Sequence, residues 1–486
     1  MMPTTAKPAT TKPAKAPACG PARTVELSEA ELAAKVAEIV RQTEVPNGTP
    51  AHSYLVGRGI ARTNLARDLD TIALRHGIAH SDCVISYVAL LATGKSDFDA
   101  IESRRDDAFF KEVLDITKVP SAPSLRQRFD EHAAAMIGHV DKASIDFLLA
   151  VGAPITPIVL KHGTALRSDK VKYVVLDMDV FPMDNSGTKK EGVSYTYKGF
   201  DGYAPLAAYL GEEGWCLACE LRPGSQHGQK EFIYFAERVV ARAKQLTPLL
   251  LLVRLDSGHD AIENRFWFAS QGHTDVIIKW NPRRQDLAAW LKLAEEKGVW
   301  QRPREGKRVG IFSVFVEEEH GGVTREFRRV MRVTERTIDK HGNPLLVPEI
   351  TVEGWWTSLG EIACADEKII ALYCDHATSE QFHSEFKTDL DIERLPSGKF
   401  ATNDLVMASA VLAYNILRWI GLVGLLREDA PVRHDAKRRR LKTVMQELMY
   451  VAARVVESGR RLALKFSHRC PAFPSFEAVY AKLAPA

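Results

Sequence analysis

One short segment constrains the fold of this chain more than any other, the uninterrupted apolar run from Leu249 to Val253 that leads to Asp256 and Gly258. A continuous apolar run of this length that stops at Asp and Gly is typical of a strand buried on both faces of a sheet. The other elements predicted around it are strands at 172–181 and 275–280 and helices at 229–245, 260–270 and 284–298. Antiparallel strands are also expected at 192–198, 204–210 and 215–221. This alternation of strands and helices predicts an α/β layer.

The regions around this layer differ from it in pattern. The expected order is a disordered tail at 1–25, a helical DNA-binding region at 26–165, core parts at 170–300 and 363–430 separated by a β-rich insertion at 301–362, and a basic helical region at 431–486. Apolar residues at helical spacing support the N-terminal assignment, and strand-forming runs between turns support the insertion. Lys368 to Tyr373 is predicted as a strand that returns to the core. The predicted fold is therefore an interrupted α/β core between helical terminal regions.

Composition excludes several broad classes of protein. The 486 residues are 45% hydrophobic and 26% charged, which excludes disorder along the whole chain. A net charge of +3 creates no global field that identifies a polyanionic partner. Seven cysteines form no disulfide pattern and indicate a reducing cytoplasm, and no secretory signal is recognised. Cys216 and Cys219 have the spacing of half a zinc site, but no second ligand pair lies nearby.

The most apolar segment runs from Leu405 to Leu426 and is long enough to cross a membrane. Arg418 and Asn415 lie within it, and such groups are costly in lipid. A helix buried inside a large protein core has the same apolar pattern on all sides. We therefore predict a core helix, in a protein without a membrane partner.

Three carboxylates occupy positions at which they can converge. Asp179 ends the first core strand, Asp256 ends the buried strand, and Glu380 is expected in a helix after a third strand. Hard oxygen ligands of this kind hold Mg²⁺ or Mn²⁺, and a pair of such ions promotes phosphodiester cleavage. An RNase H-like layer provides this geometry. Each residue also has an ordinary explanation, because Asp forms turns and a carboxylate can cap a helix.

A spaced set of residues around Glu380 points to a family. Tyr373, His376, Glu380 and Lys387 are separated by two, three and six residues. This spacing closely resembles the Tyr-Arg-Glu-Lys signature of DDE transposases, and three of the four residue types match. Further segments that resemble the same family are 176–179, 199–206, 221–225, 254–258 and 394–403. Together they resemble bacterial transposases of the insertion sequence 1380 group, whose catalytic domain is split by a β-insert, over roughly residues 50–475.

The resemblance implies a catalytic role for the three carboxylates. Asp179, Asp256 and Glu380 would form the catalytic triad, with Asp177 as the alternate first Asp because the spacing after it is longer than in the family. The same residues would be the metal ligands. The cofactor expected from the resemblance is Mg²⁺ or Mn²⁺, with two ions per site.

The resemblance also implies DNA contacts near the scissile bond. Tyr373 and Lys387 would touch DNA phosphates. His376 stands where the family has Arg, and a mostly neutral imidazole binds a phosphate less well than a guanidinium does. Either this copy has weakened, or a protonated His376 compensates.

The predicted insertion carries further candidates for DNA contact. Strand alternation places Arg328 and Arg332 on one face, where they can bind phosphates, although a solvated sheet face has the same pattern. Trp355 and Trp356 can form a surface on which a flipped base stacks, as the family suggests, or can pack in the core. The basic helix start at 123–128 can likewise meet phosphates or lie in solvent.

These inferences predict a bacterial, cytoplasmic DDE transposase. It is expected to bind the terminal inverted repeats of its insertion sequence, to cleave the ends and to join the 3′-hydroxyl to target DNA. The resemblance adds a dimer in the complex with both DNA ends. The rivals are a metal-dependent nuclease without strand transfer and a weakened DNA-binding relic, which His376 keeps open. No P-loop occurs, which excludes an ATP-driven motor.

Overall fold

The structure is a computed structural model that describes residues 52–164, 167–458, 461–467 and 469–483. The predicted tail at 1–25 and the start of the predicted helical region lie outside the described residues. The helices are α1 His52–Ile60, α2 Leu65–Leu69, α3 His80–Leu91, α4 Ala108–Val113, α5 Ala122–Ala150, α6 Phe232–Leu246, α7 Ile262–Ser270, α8 Leu287–Lys297, α9 Asp366–Cys374, α10 Ser379–Ser384, α11 Phe400–Leu425, α12 Leu441–Val444 and α13 Phe473–Leu483.

The strands alternate with the helices only in the central part of the chain. They are β1 Ile158–Thr164, β2 Arg167–Val180, β3 Met183–Asp184, β4 Ser194–Tyr195, β5 Asp201–Tyr203, β6 Leu206–Leu210, β7 Trp215–Glu220, β8 Leu250–Leu255, β9 Thr274–Lys279, β10 Val299–Arg304, β11 Lys307–His320, β12 Val323–Ile338, β13 Pro344–Thr357, β14 Ala453–Ser458 and β15 Arg461–Phe466. Short 3₁₀ and π turns connect them at Phe98–Arg104, Ser257–His259, Asp375–Thr378, Glu385–Asp389 and Met445–Met449.

A ten-stranded mixed sheet forms the centre of the described part of the chain. Its order is β10-β11-β12-β13-β9-β8-β2-β6-β7, and β1 pairs with β2 off this path. β8 runs parallel to β2 and to β9, whereas β6 and β7 are antiparallel additions. The carboxyl ends of β2 and β8 therefore meet at one edge of the sheet, with Asp179 near the first end and Asp256 just after the second. β8 is almost entirely buried, which confirms the predicted central strand.

The predicted β-rich insertion forms long antiparallel strands that extend the central sheet. β10 to β13 pair in sequence, and β13 then pairs with β9 through Trp355 opposite Lys279 and Trp356 opposite Ile278. Edge-to-edge pairing satisfies backbone groups that a separate sheet would leave open. The wall of the cleft described below is built from this junction.

The prediction of a strand over Lys368–Tyr373 is wrong, because this segment lies in α9. Its apolar residues suit either structure over so short a run. Ile369, Ile370 and Leu372 are buried while Lys368 and Ala371 are exposed, which is the pattern of one helix face and not of strand alternation. The acidic first turn of α9 also favours a helix.

The prediction of a helical C-terminal region is also wrong in part. Only the short α12 and a π turn precede a two-stranded sheet of β14 and β15, and α13 follows. The β-branched pair Val455 and Val456 suits a strand, and cross-strand pairing to β15 gives it a partner that sequence periodicity does not reveal.

The hydrophobic core surrounds α11. This helix packs against α3, α5, α12, α13 and β7, so that the N-terminal helices and the sheet share one core. Among the described residues it is the one helix long and apolar enough to cross a membrane, and its most apolar stretch is 89% buried inside the protein. Its polar groups have partners: Asn415 donates to Ser144 and to the Cys216 carbonyl, and Arg418 pairs with Glu385. This is the burial predicted for a core helix.

Candidate active site

Three carboxylates from distant parts of the chain line one cleft. Asp179, Asp256 and Glu380 border a cleft of about 800 Å³ at the edge where β2 and β8 end. Asp179 belongs to β2, Asp256 caps the 3₁₀ turn after β8, and Glu380 lies in the first turn of α10. The fold thus gathers in one place the three residues that the sequence predicted as a catalytic set.

Asp177, the alternate first Asp, is engaged elsewhere. It is only 3% exposed, and its two carboxylate oxygens accept hydrogen bonds of 2.6 Å from Arg254. His376 Nδ1 lies 2.9 Å from the same carboxylate. Burial tends to raise the pKa of Asp177, but Arg254 and His376 outweigh it and lower the pKa to about 2. Asp179, which lines the cleft, is therefore the better placed of the two to bind a metal.

The Asp177–Arg254–His376 cluster connects the elements that carry the three carboxylates. Asp177 and Arg254 are register partners on the parallel strands β2 and β8. Arg254 also donates to the Leu372 carbonyl of α9 at 2.7 Å. His376 follows α9 and lies one helical turn before Glu380. The cluster consequently fixes the position of the Glu380 segment relative to the two strands.

Two buried histidines lie beside the carboxylates without neutralising them. His383 Nδ1 is 3.9 Å from Asp179, and His259 Nε2 is 3.8 Å from Asp256. Burial lowers the pKa of His383 to about 3 and that of His259 to about 4, so both are neutral near pH 7. His383 stacks on Phe181 with ring centroids 4.6 Å apart, which keeps it in place.

The acidic edge of the cleft carries uncompensated negative charge. Burial, together with the charges of Asp256 and Glu380, raises the pKa of Asp179 to about 7. Within the described residues, no group of three His, Cys, Asp or Glu side chains is arranged to hold a metal ion. Oxygen ligands and unbalanced charge at Asp179 and Asp256 nevertheless suit Mg²⁺ or Mn²⁺ by ligand type.

The opposite wall of the cleft combines aromatic and basic groups. Glu353 joins Lys279 at 2.7 Å and Arg332 at 2.8 Å. The Lys279 ammonium lies 3.9 Å from the ring centroid of Trp355, and Tyr373 packs beside this ring. All five residues line the cleft. Of the predicted DNA contacts on this wall, Arg332 and Tyr373 are partly exposed, whereas Trp355 is only 1% exposed and its ring is covered by Lys279, so that it packs in the core.

Lys387 is a further basic residue at the cleft. Its ammonium donates to the Pro182 carbonyl and lies 3.5 Å from Glu393. The side chain is partly exposed and lines the cleft. These contacts hold the Lys387 ammonium in position before a phosphate binds.

Three further residues that were predicted to contact DNA are buried and bound to other groups of the protein. Arg328 is 4% exposed and donates to Ser313, to Asp366 and to the carbonyls of α9's preceding loop, so that it stabilises the core. Trp356 is buried between the guanidinium groups of Arg265 and Arg329, away from the cleft. His376 borders the cleft, but its ring is buried against Asp177 and not free to bind a phosphate as an exposed Arg would.

The sequence patterns did not identify several residues that line or support the cleft. Arg254 directly precedes Leu255 and Asp256, so its charge inside an otherwise apolar strand was a signal of a buried ion pair. Lys279 at the end of β9 offered a similar signal. Glu353 and Tyr197 gave none, because nothing in their neighbourhood distinguishes them from solvated strand and turn residues.

We expect Asp179→Asn to stabilise the metal-free protein at pH 8. The native pKa of about 7 lies above the unfolded value of about 3.9, so the native state loses stability as pH rises through this interval. An amide removes this penalty, and the free energy of unfolding should rise by about 1–3 kcal/mol at pH 8 and by much less at pH 4.5. Urea unfolding in EDTA at both pH values measures it. An equal change at the two pH values would contradict the assignment.

Comparison with known proteins identifies a family, and a distant structural similarity is found among solved structures. Residues 62–486 match the family described as Transposase DDE domain group 1. Among solved structures, the cryo-EM structure of the piggyBac transposase synaptic complex with hairpin DNA aligns with 75% of this chain and 73% of its own chain, at 8% sequence identity and a TM-score of 0.37. The comparison with curated proteins finds no match.

Proposed function

Because the chain belongs to the family Transposase DDE domain group 1, we propose that it cleaves DNA at the ends of its own element and joins the 3′-hydroxyl to target DNA. The observation that carries this proposal is the convergence of Asp179, Asp256 and Glu380 on one cleft. No single motif brings these residues together; the parallel pairing of β2 with β8 and the position of α10 do.

Two finer assignments belong to the same proposal. An RNase H-like core is supported by the strand order β7-β6-β2-β8-β9, in which three antiparallel strands are followed by two parallel ones. Membership of the bacterial insertion sequence 1380 group is supported by the spacing of Tyr373, His376, Glu380 and Lys387.

Asp179 and Asp256 are the residues that would hold a divalent metal, with Glu380 completing the set from α10. Bound Mg²⁺ or Mn²⁺, as a pair of ions, would activate the attacking oxygen and stabilise the leaving oxygen. The chain itself supplies position: the Asp177–Arg254–His376 cluster holds β2, β8 and the Glu380 segment in register. Neutral His383 packs under Asp179 and excludes water from that side.

The partner proposed for the cleft is double-stranded DNA, first at the element ends and then at the target. Lys387 and Arg332, which both line the cleft, would contact phosphates, and the hydroxyl group of Tyr373 would donate a hydrogen bond to a phosphate. A cytoplasmic dimer that holds both DNA ends completes the proposal.

The test is cleavage of a duplex that carries the inverted repeat flanking this reading frame. With Mg²⁺ and a target plasmid, we expect nicks at the repeat boundary and covalently joined products. Nicks without joined products would favour a metal-dependent nuclease. Binding without either product would favour a DNA-binding relic, an outcome for which the lack of a closed metal cluster among the described side chains gives a specific reason.

Arg332→Ala is expected to weaken DNA binding, whereas Arg328→Ala is expected to destabilise the fold. Arg332 borders the cleft, so its loss should weaken DNA binding and reduce the slope of log affinity against log salt by about one. Arg328 is buried, and its loss removes the ion pair with Asp366 and the donor of two buried carbonyls, which should destabilise the fold by about 3 kcal/mol. Fluorescence anisotropy over a salt series and urea unfolding separate the two effects. An unchanged salt slope for Arg332→Ala would return that side chain to a structural role.

A further inference from the structure

Two tyrosine rings project into solvent beside the cleft. Tyr195 and Tyr197 each leave 67% of their surface exposed, although large aromatic side chains are usually buried. Thr196 between them is buried, so both rings project from the same side of the chain. We call residues 195–199 the tyrosine turn.

The tyrosine turn is rigid. The backbone N–H and the hydroxyl of Thr196 both donate to the Phe200 carbonyl at 2.8 Å, and Gly199 N donates back to the Thr196 carbonyl at 3.1 Å. Gly199 has φ +89°, a conformation that favours glycine, and it closes the turn. Below the turn, the Tyr203 hydroxyl donates to the Glu191 carbonyl at 2.7 Å. A surface that is already ordered loses little entropy when a ligand binds.

The tyrosine turn is continuous with the carboxylate cleft. Tyr197 and Lys198 line the cleft together with Asp179. The Tyr197 hydroxyl donates to the Val180 carbonyl at 3.2 Å, one residue after that carboxylate. A strand that leaves the carboxylates on this side would therefore pass over the two rings.

The charges around the rings suit a nucleic-acid strand. Lys198 lies 5.5 Å from the Tyr197 ring centroid and forms no ion pair within the described residues. It is exposed and can contact a phosphate. Asp201, the register partner of Tyr195, can accept a hydrogen bond from an exocyclic amino group of a base. Stacking on the two rings needs open base faces, which a closed duplex does not present.

We propose that the tyrosine turn is a second nucleic-acid site, at which Tyr195 and Tyr197 stack on unpaired bases of a DNA strand that emerges from the cleft. The site deepens the proposed function and rests on it. It takes strands that have separated near the cleavage point. Its ligand is a single strand with accessible bases, bound with little sequence preference.

The test compares a fluorescent single-stranded oligonucleotide of about twelve nucleotides with the same sequence as a duplex. Stacking contributes enough per base that Tyr195→Ala with Tyr197→Ala should weaken single-strand binding about 10-fold or more. Duplex binding should change by less than about threefold. The double variant Tyr195→Phe with Tyr197→Phe keeps the rings and should retain binding. Tyr234→Ala is the matched control, because this tyrosine is 75% exposed on α6 and does not line the cleft.

Several outcomes would overturn the proposal. An equal loss on both substrates would mean that the rings contact the backbone, and no loss would mean that they contact nothing. If the wild-type protein cleaves the element end while the alanine variant binds single strands normally, the stacking site fails and the proposed function stands. If the wild-type protein neither cleaves nor binds either form of DNA, both fail. Thermal melting of each variant confirms that the fold is intact.

Discussion

Asp256→Asn is expected to abolish DNA cleavage while leaving DNA binding and folding intact. The side chain is 42% exposed, and its one hydrogen bond within the described residues is accepted from Gly258 N, which an amide oxygen can also accept. The substitution therefore removes the negative charge with little change in structure. Loss of one ligand from a metal-assisted reaction costs several kcal/mol of transition-state stabilisation, or about 10²–10⁴ in rate.

The measurement is nicking of the terminal-repeat duplex in Mg²⁺, with duplex affinity and melting temperature determined on the same sample. Asp106→Asn is the matched control, because Asp106 is exposed and lies outside the cleft. Near wild-type nicking by Asp256→Asn would mean that the three carboxylates are not the catalytic set. The same assay on Asp179→Asn and Asp177→Asn separates a metal ligand from a positioning residue.

Removing one partner of the buried Asp177–Arg254 pair is expected to destabilise the fold strongly. Asp177→Asn leaves the Arg254 guanidinium buried without a counter-charge, which should lower the free energy of unfolding by about 3–5 kcal/mol. Replacing both residues, as Asp177→Leu with Arg254→Met, removes the charges together and should restore most of this loss. Urea unfolding at pH 7 measures all three proteins.

The pH dependence gives an independent check on the same pair. The native pKa of about 2 lies below the unfolded value, so the pair contributes fully above about pH 4 and its contribution is lost as pH falls towards 2. The difference in stability between wild type and Asp177→Asn should shrink over this range. A constant difference from pH 7 to pH 3 would show that the carboxylate is not held ionised by Arg254.

The contact with Asp177 gives His376 a structural role beside the Asp177–Arg254 pair. The spacing from Tyr373 to Lys387 identified the position, and chemistry predicted a weak phosphate donor there. In the structure the ring is anchored on Asp177 and helps to fix the Glu380 segment. Burial lowers the pKa of His376 and Asp177 raises it, with a net rise that favours the imidazolium. Its charge is thus directed towards Asp177.

Local sequence patterns determined much of the core. The apolar run before Asp256 is typical of a buried strand, since its five consecutive aliphatic residues are followed closely by Asp and Gly. The apolar helix around Arg418 was identified by the same reasoning. Both elements depend on short-range periodicity, which the sequence contains in full. Where a run was short, as at Lys368–Tyr373, helix and strand fitted equally well and the choice depended on what the segment packs against.

Only the tertiary structure decided which of two similar residues belongs to the cleft. Asp177 and Asp179 share one face of β2, and Arg328 and Arg332 share one face of β12, because side chains repeat every second residue along a strand. Strand alternation predicts which face of the sheet a side chain lies on, but it does not predict which other residues pack against that face. Asp177 forms an ion pair with Arg254, and Arg328 forms one with Asp366. The charge of each of these buried residues is therefore neutralised by a residue distant in sequence. The carboxylate and the guanidinium that border the cleft are Asp179 and Arg332, and Arg332 pairs with Glu353 on the neighbouring strand.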